Sequence, residues 1–157
     1  MVLNNVISCQ YGPAVPQSLI GCLEFRTTCE IREEEAKLTT YCINCLAKQL
    51  QYDGIDVKEL LRVTAIFSPD GGFALSMPQS VSGAQFCLIA YPIQRWRDAN
   101  YDKEQIATCI LEELCHHFWA IKDELAVKHK VVEIFQRWMD SKFTFSQLYP
   151  GVAPYQE

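Results

Sequence analysis

One long region without helix-breaking residues constrains the fold most, because residues 103–149 contain neither glycine nor proline. At about 100° per residue, the apolar side chains in its first part share one arc of a helix, namely Ile106, Ile110, Leu114, Phe118 and Ile121. Glu112, His116 and Asp123 fall within about 40° of one another on the opposite side. The pattern predicts an amphipathic helix over residues 103–123 whose polar stripe contains only potential metal ligands.

The segments before this helix predict a second helix and several strands. Acidic residues fill the first turn of a helical pattern from about residue 31 to 51, where they favour the helix dipole, and an Asp-Gly pair ends it. Residues 61–67 and 73–77 flank the turn signal Ser-Pro-Asp-Gly-Gly and predict a β-hairpin. The apolar run at 84–93 predicts a buried strand.

Together these elements predict one α/β domain of the α+β kind, with a small mixed or antiparallel-edged sheet of about three to five strands packed against both helices. Hydrophobic residues make up 49% and charged residues 21% of the 157-residue chain, as in a globular domain with its own core. Residues 1–30 are expected to form an irregular or strand-like segment, residues 31–140 the core, and residues 141–157 a C-terminal tail. A further helix is expected from about residue 128 to 141.

The helix predicted at 103–123 carries a motif that differs at one position from a known metal-binding pattern. In HExxH, two histidines one helical turn apart bind zinc, and the glutamate beside the first activates water. The five positions here are Glu112-Glu113-Leu114-Cys115-His116, so a glutamate stands in place of the first histidine. With this degenerate HExxH, the chain resembles the zincin-like metallopeptidase superfamily.

The order of the elements extends the resemblance over residues 31–140. In zincins a backing helix and a small twisted sheet support the active-site helix, so the resemblance implies a zincin-like fold. The run Glu112-Glu113, followed later by Asp123, is also similar to a group of uncharacterised bacterial zincin-like proteins whose helix carries Glu-Glu-x-x-Gln and then Asn-Asp. This chain departs from that pattern because it keeps His116 and has Lys122 in place of the asparagine.

The resemblance implies a role for each residue of the motif. Glu112 and His116, about 6 Å apart at their backbones on one helix face, are the expected ligands of a zinc ion. Glu113 is the expected catalytic base. No residue is expected to bind another cofactor. A carboxylate in place of an imidazole adds negative charge, which weakens zinc as a Lewis acid.

A third metal ligand must come from further along the chain, and the sequence offers Asp123, His129 and Glu133. Gluzincins use a glutamate on a following helix, which makes Glu133 the match by role. In one unbroken helix, Glu133 would lie about 25 Å along the axis from His116. The chain must therefore turn between about residues 120 and 128, where Asp123 is placed to cap a new helix.

The expected function is that of a zincin-like protein with an altered metal site and weak or absent peptidase activity. One alternative is an active metal-dependent peptidase that uses Glu112, Glu113 and His116. Another is a non-enzymatic protein-interaction module, since acids and a histidine opposite an apolar arc also occur on ordinary surface helices. A protein or peptide is the expected partner in each case, and the sequence leaves the oligomeric state open.

Charge and cysteine content restrict the partners and the compartment. The net charge of −5 argues against binding to nucleic acid, and no apolar run is long enough to span a membrane. Eight cysteines without a secretory signal pattern are expected to be reduced thiols in a cytoplasmic protein. The Cys42-Ile-Asn-Cys45 pair lies inside a helical pattern, so its thiols are expected to be buried and structural.

Overall fold

The computed structural model describes residues 2–77 and 85–155, and its fold is mixed α and β, as the sequence predicts. These residues form five strands and five α-helices, and all the strands precede the last four helices. The strands are β1 (Val2–Leu3), β2 (Leu23–Thr27), β3 (Val63–Ser68), β4 (Leu75–Ser76) and β5 (Cys87–Pro92). The helices are α1 (Glu33–Tyr52), α2 (Ile93–Asp98), α3 (Lys103–Phe118), α4 (Glu124–Ile134) and α5 (Phe145–Leu148). A π-helical turn, Phe135–Met139, continues α4, and short 3-10 turns lie at Gln17–Leu19 and Val57–Glu59.

The main sheet has three parallel strands in the order β2-β3-β5. One face joins the hydrophobic core, because alternate side chains of the central strand are fully buried there: Val63, Ala65 and Phe67. Three aromatic rings run across this face, with centroids 5.6 Å apart between Phe25 and Phe67 and 5.4 Å apart between Phe67 and Tyr91. The Tyr91 hydroxyl donates to the Ile110 carbonyl of α3 at 2.9 Å, which ties the sheet to this helix.

The strand pairing differs from the β-hairpin that the turn signal predicts. Strand β3 pairs in parallel with β2 and β5, and β4 pairs in antiparallel fashion with β1. The turn residues hydrogen-bond to one another: the Gly71 amide donates to Ser68 Oγ at 2.9 Å and the Gly72 amide donates to Asp70 Oδ1 at 2.8 Å. The predicted buried strand at 84–93 is present as β5, and its first predicted residue, Ala84, lies outside the described residues.

Helix α1 forms where the sequence predicts it. The Arg32 amide donates to Glu35 Oε2 at 2.8 Å as part of a capping box, and the helix ends before Gly54, whose φ is 70°. Its buried face includes Cys42 and Cys45, which are 0% and 1% exposed, so these two thiols are buried as expected. All eight cysteines are free thiols.

Helix α3 is shorter than predicted and the helix after it begins earlier. Asp102 caps the start of α3 by accepting from the Gln105 amide at 2.8 Å, and the helix ends at Phe118. Ala120 then adopts a φ of 51°, and Asp123 caps α4 by accepting from the Ala126 amide at 2.7 Å. The predicted turn between residues 120 and 128 is therefore confirmed, whereas Asp123 lies outside α3 instead of on its polar stripe.

The predicted apolar arc of α3 faces the core, and part of the segment predicted as a C-terminal tail, residues 141–157, also packs against the core. Ile110 and Leu114 are fully buried and Phe118 is 2% exposed, whereas Ile121, beyond the helix end, is half-buried. In the C-terminal segment, Leu148 and Tyr149 are buried, and α5 packs against α3 and α4. In the described part of the chain, none of the helices combines the length and the apolarity that crossing a membrane requires.

Candidate functional site

The candidate site lies where the last turns of α3 meet the first turns of α4. One helical turn separates Glu112 from His116, and both are half-buried at the edge of the buried face of α3. Glu113, on the next position around the helix, is exposed to solvent. The turn at Ala120 folds α4 back against α3, which brings residues of α4 to this edge.

The side chain that meets Glu112 is the cation Lys128 of α4. Its Nζ lies 3.0 Å from Glu112 Oε1 and 3.7 Å from Glu124 Oε2. The approach to Glu112 Oε1 lies off the direction that a hydrogen bond requires, so the contact is an ion pair without a well-directed hydrogen bond. The side chains of Lys128 and Glu112 are 19% and 21% exposed, which shields the pair from most of the solvent.

His116 is fixed in one orientation by the turn between the helices. Its Nδ1 lies 2.6 Å from the Ile121 carbonyl, and since a carbonyl oxygen can only accept, Nδ1 carries the proton. Its Nε2 then points towards Glu124 Oε1, 3.7 Å away. An Nδ1 proton held by a backbone carbonyl is an arrangement that metal-bound histidines commonly use, and here Nε2 faces the Glu124 carboxylate.

Tyr149, from the C-terminal segment, covers the pair formed by Glu112 and Lys128. Lys128 Nζ lies 5.3 Å from the centre of the Tyr149 ring, within the range of a cation–π contact. Burial raises the pKa of the Tyr149 hydroxyl, and the negative charge of Glu112 beside it raises the pKa further. The hydroxyl is buried and has no hydrogen-bond partner of good geometry among the described residues.

The other two predicted ligands, Asp123 and Glu133, make different contacts. Asp123 Oδ1 accepts from the Tyr155 hydroxyl at 2.6 Å in addition to capping α4. Glu133 belongs to a separate polar cluster, in which its carboxylate accepts from Lys130 at 2.6 Å and from Gln49 at 3.0 Å. Asp53 joins that cluster by accepting from Lys130 at 3.1 Å. The structure therefore brings together Glu112 and His116 and leaves Asp123 and Glu133 engaged elsewhere.

These contacts do not fit a zinc ion. Across residues 2–77 and 85–155, no three His, Cys, Asp or Glu side chains are grouped closely enough to hold a metal ion. A cationic lysine lies directly against the carboxylate that would be the first ligand, and its charge would repel a divalent ion. What the arrangement does chemically is place one built-in ammonium group against two carboxylates, which offsets part of their negative charge.

Three residues of this site are absent from the sequence-based assignment, which are Glu124, Lys128 and Tyr149. The spacing of Glu124 and Lys128 on one helix face is visible in the sequence, but such pairs are common on exposed helices. The contact of Lys128 with Glu112 depends on how α4 folds back on α3. The position of Tyr149 depends on the packing of α5, for which the sequence gives no signal.

A second pair of reactive side chains, Cys87 and His117, also escaped the sequence-based assignment. Cys87 Sγ lies 3.2 Å from His117 Nδ1, at the start of β5 and the end of α3. Burial raises the pKa of the Cys87 thiol, and burial lowers the pKa of the His117 imidazole despite the opposing effect of the Leu61 carbonyl. Both shifts favour the neutral thiol and imidazole over the thiolate–imidazolium pair that a nucleophilic cysteine needs.

Comparison with known proteins gives no relative from which a role for this site could be inferred. No model of a known protein family matches the chain. Neither the curated proteins nor the solved structures contain one that matches it.

Proposed function

We propose that the protein is a zincin-like chain in which the Lys128 ammonium takes the position of the metal, and that it binds protein or peptide partners without cleaving them. The contact between Lys128 and Glu112 carries this proposal. In an HExxH site, the ion has to supply the positive charge around which its ligands are held and to polarise a water molecule. An ammonium group meets the first need and not the second, because it has no open coordination position.

The position of Glu113 is consistent with this loss of activity. A glutamate one position from a metal ligand works as a base when a metal-bound water lies within its reach. Here Glu113 is exposed, and the cation beside the site is Lys128. We therefore expect the carboxylate of Glu113 to behave as an ordinary surface group.

The same proposal includes the partner class and the compartment. The net charge of −5 disfavours nucleic acid, and proteins or peptides are the partners that we propose for this site. We propose a cytoplasmic location, which is supported by eight free cysteines, two of them buried side by side in α1.

An active metal-dependent peptidase is the second candidate, and the orientation of His116 favours it. Its protonated Nδ1 is anchored on the Ile121 carbonyl, so Nε2 is presented as it would be to a metal. For this function Lys128 would have to move away from Glu112, and a third ligand would have to approach His116.

Zinc titration and peptide cleavage test the two candidates together. Metal-free wild-type protein, Lys128→Met and the matched surface control Lys37→Met are titrated with zinc by calorimetry and assayed on a mixture of fluorogenic peptides. We expect no stoichiometric zinc binding by the wild type and the control, and measurable binding by Lys128→Met, because that variant leaves Glu112 without its cation. Stoichiometric zinc in the wild type, with cleavage that disappears in Glu113→Gln, would overturn the proposal in favour of the peptidase.

A further inference from the structure

The outer face of the three-stranded sheet has a thin cover. Parallel sheets are normally buried on both faces, because their crossover connections cover them. Here the inner face joins the core formed with α1 and α3, whereas the short β1–β4 pair lies over the outer face. Each strand of that pair is two residues long, so it covers only part of the sheet.

A cavity of about 330 Å³ lies between this pair and the outer face of the sheet. Leu88 of the sheet forms one apolar wall beside the fully buried Ile66, and Val6 and Leu75 lie among the apolar residues that face it. The volume is at the lower end of the range of about 300–1,000 Å³ that is usual for small-molecule sites. A short aliphatic chain therefore fits the apolar part of the cavity.

One end of the cavity is polar, with Glu24 and Arg26 in its lining, and Arg62 contacts Glu24 from outside that lining. Glu24 accepts a hydrogen bond of 2.9 Å from the Thr64 hydroxyl and is in direct contact with the Arg62 guanidinium. Arg26 approaches the same carboxylate at 3.4 Å. Burial would raise the pKa of Glu24, but the bond from Thr64 and the charges of Arg26 and Arg62 outweigh it and hold the pKa below its usual value. Two guanidinium groups therefore face one ionised carboxylate.

We propose that this cavity binds a small aliphatic carboxylate, with its chain between Leu75 and Leu88 and its carboxylate on Arg26. Arginine presents a planar fork that matches a carboxylate. The contact of Arg26 with Glu24, at 3.4 Å, is longer than the roughly 2.7–2.9 Å of a strong charge-assisted hydrogen bond. Because Arg26 is also 51% exposed, it can turn to a ligand at little cost.

The charges around the cavity discriminate between ligand classes. A cationic amphiphile would meet the uncompensated guanidinium group and be repelled. A polyanion would meet the same arginines, but the net charge of −5 on the whole chain opposes its approach. A single carboxylate with an apolar tail is the class that satisfies both the walls and the polar end.

Calorimetric titration with octanoate tests the proposal, at concentrations below those at which octanoate self-associates. Octylamine and 1-octanol have the same chain with a cationic and a neutral head group. We expect one saturable site for octanoate, with an affinity at least about tenfold higher than that for 1-octanol, because a hydrogen bond to a charged group contributes about that factor. Arg26→Gln should lose about the same factor of ten, and the matched control Lys37→Gln should leave the affinity unchanged.

A second variant and a mapping experiment separate this cavity from other apolar surfaces. Val6→Phe, at a position that is 41% exposed, should fill the cavity and weaken binding without disturbing the core. Octanoate should shift the amide resonances of Thr64 and Leu88 and leave those of α4 in place. The proposal is overturned if octanoate shows no saturable binding, if octylamine binds as tightly as octanoate, or if neither variant weakens the binding.

Discussion

Replacing Lys128 with methionine is the most direct perturbation of the candidate site. Methionine keeps most of the length and the apolar stem of lysine, so the packing beneath Tyr149 is largely retained. The ammonium group is lost, and Glu112 then lies at the edge of the core without a cation. A carboxylate in that position must either remain charged at a cost or take up a proton.

The distance and the burial of the pair set the expected cost. At 3.0 Å and an effective dielectric constant of about 20, the attraction between the two charges is about 5.5 kcal/mol, most of which desolvation offsets. Removing one partner costs about 3–5 kcal/mol in a buried pair, and an exposed pair is worth about 0–1 kcal/mol. Because about a fifth of each side chain remains in water, we expect a loss of about 2 kcal/mol, or roughly 4–8 °C in Tm.

Urea denaturation and scanning calorimetry at pH 7 measure this loss. The double variant Glu112→Gln/Lys128→Met should regain a large part of it, because no uncompensated charge then remains. Zinc should raise the Tm of Lys128→Met more than that of the wild type, since an ion that binds only the folded state stabilises it. Lys37→Met changes a lysine whose side chain is 74% exposed and should leave the Tm nearly unchanged. A wild-type Tm for Lys128→Met, or strictly additive effects in the double variant, would refute the reasoning.

Three further predictions concern stability and thiol reactivity. The Glu35 carboxylate accepts bonds of 2.7 and 2.6 Å from Arg97; burial opposes ionisation, but these bonds outweigh it and hold the pKa of Glu35 below its usual value. Because the pKa of Glu35 is lower in the folded than in the unfolded protein, this stabilisation is fully present above about pH 4.3 and is lost as the pH falls through the folded pKa. Glu35→Gln should therefore flatten the pH dependence of the urea midpoint in this range. Ala120→Gly should raise the free energy of unfolding by about 0.5–1 kcal/mol, because Ala120 has a φ of 51°, whereas Ala99→Gly, at a φ of −82°, should lower it. Labelling of the native protein with iodoacetamide at pH 8, analysed by mass spectrometry, should spare the three buried thiols, Cys42, Cys45 and Cys115. Modification of any of them before unfolding would contradict the structure.

Helices α1, α3 and α4 could be predicted from the sequence because their signals are local, whereas the short helices α2 and α5 were not predicted. The acids that begin α1, the cap at Asp102 and the apolar period of α3 act within one or two turns of the residues they specify. Strand pairing is a non-local choice, and the turn signal after β3 did not determine it. The apolar residues of β3 satisfy either a hairpin or a parallel partner, and the structure adopts the parallel pairing with β2 and β5.

The site could be predicted only as far as a single helix extends. The spacing of Glu112 and His116 fixes them on one side of α3 whatever surrounds them. Which residue meets them depends on the direction of α4, and that direction depends on the left-handed conformation of Ala120, where glycine would be the usual residue. The sequence therefore predicted a break between the two helices, but it did not predict that the break would bring Lys128 into contact with Glu112.

The residues around Lys128 suit an ammonium group better than a metal ion. Two carboxylates and an aromatic ring surround its Nζ, at 3.0 and 3.7 Å and at 5.3 Å from the ring centre. An ammonium ion gains from an aromatic face, whereas zinc in proteins takes nitrogen, sulfur and oxygen ligands. If position 112 carried a neutral imidazole, the charge of Lys128 would lose its nearest carboxylate. This gives a physical reason for finding glutamate at position 112 in a chain that carries lysine at 128. Glu112 and Lys128 are two parts of one charge arrangement, so changing Lys128 alone should permit weaker zinc binding than changing both positions.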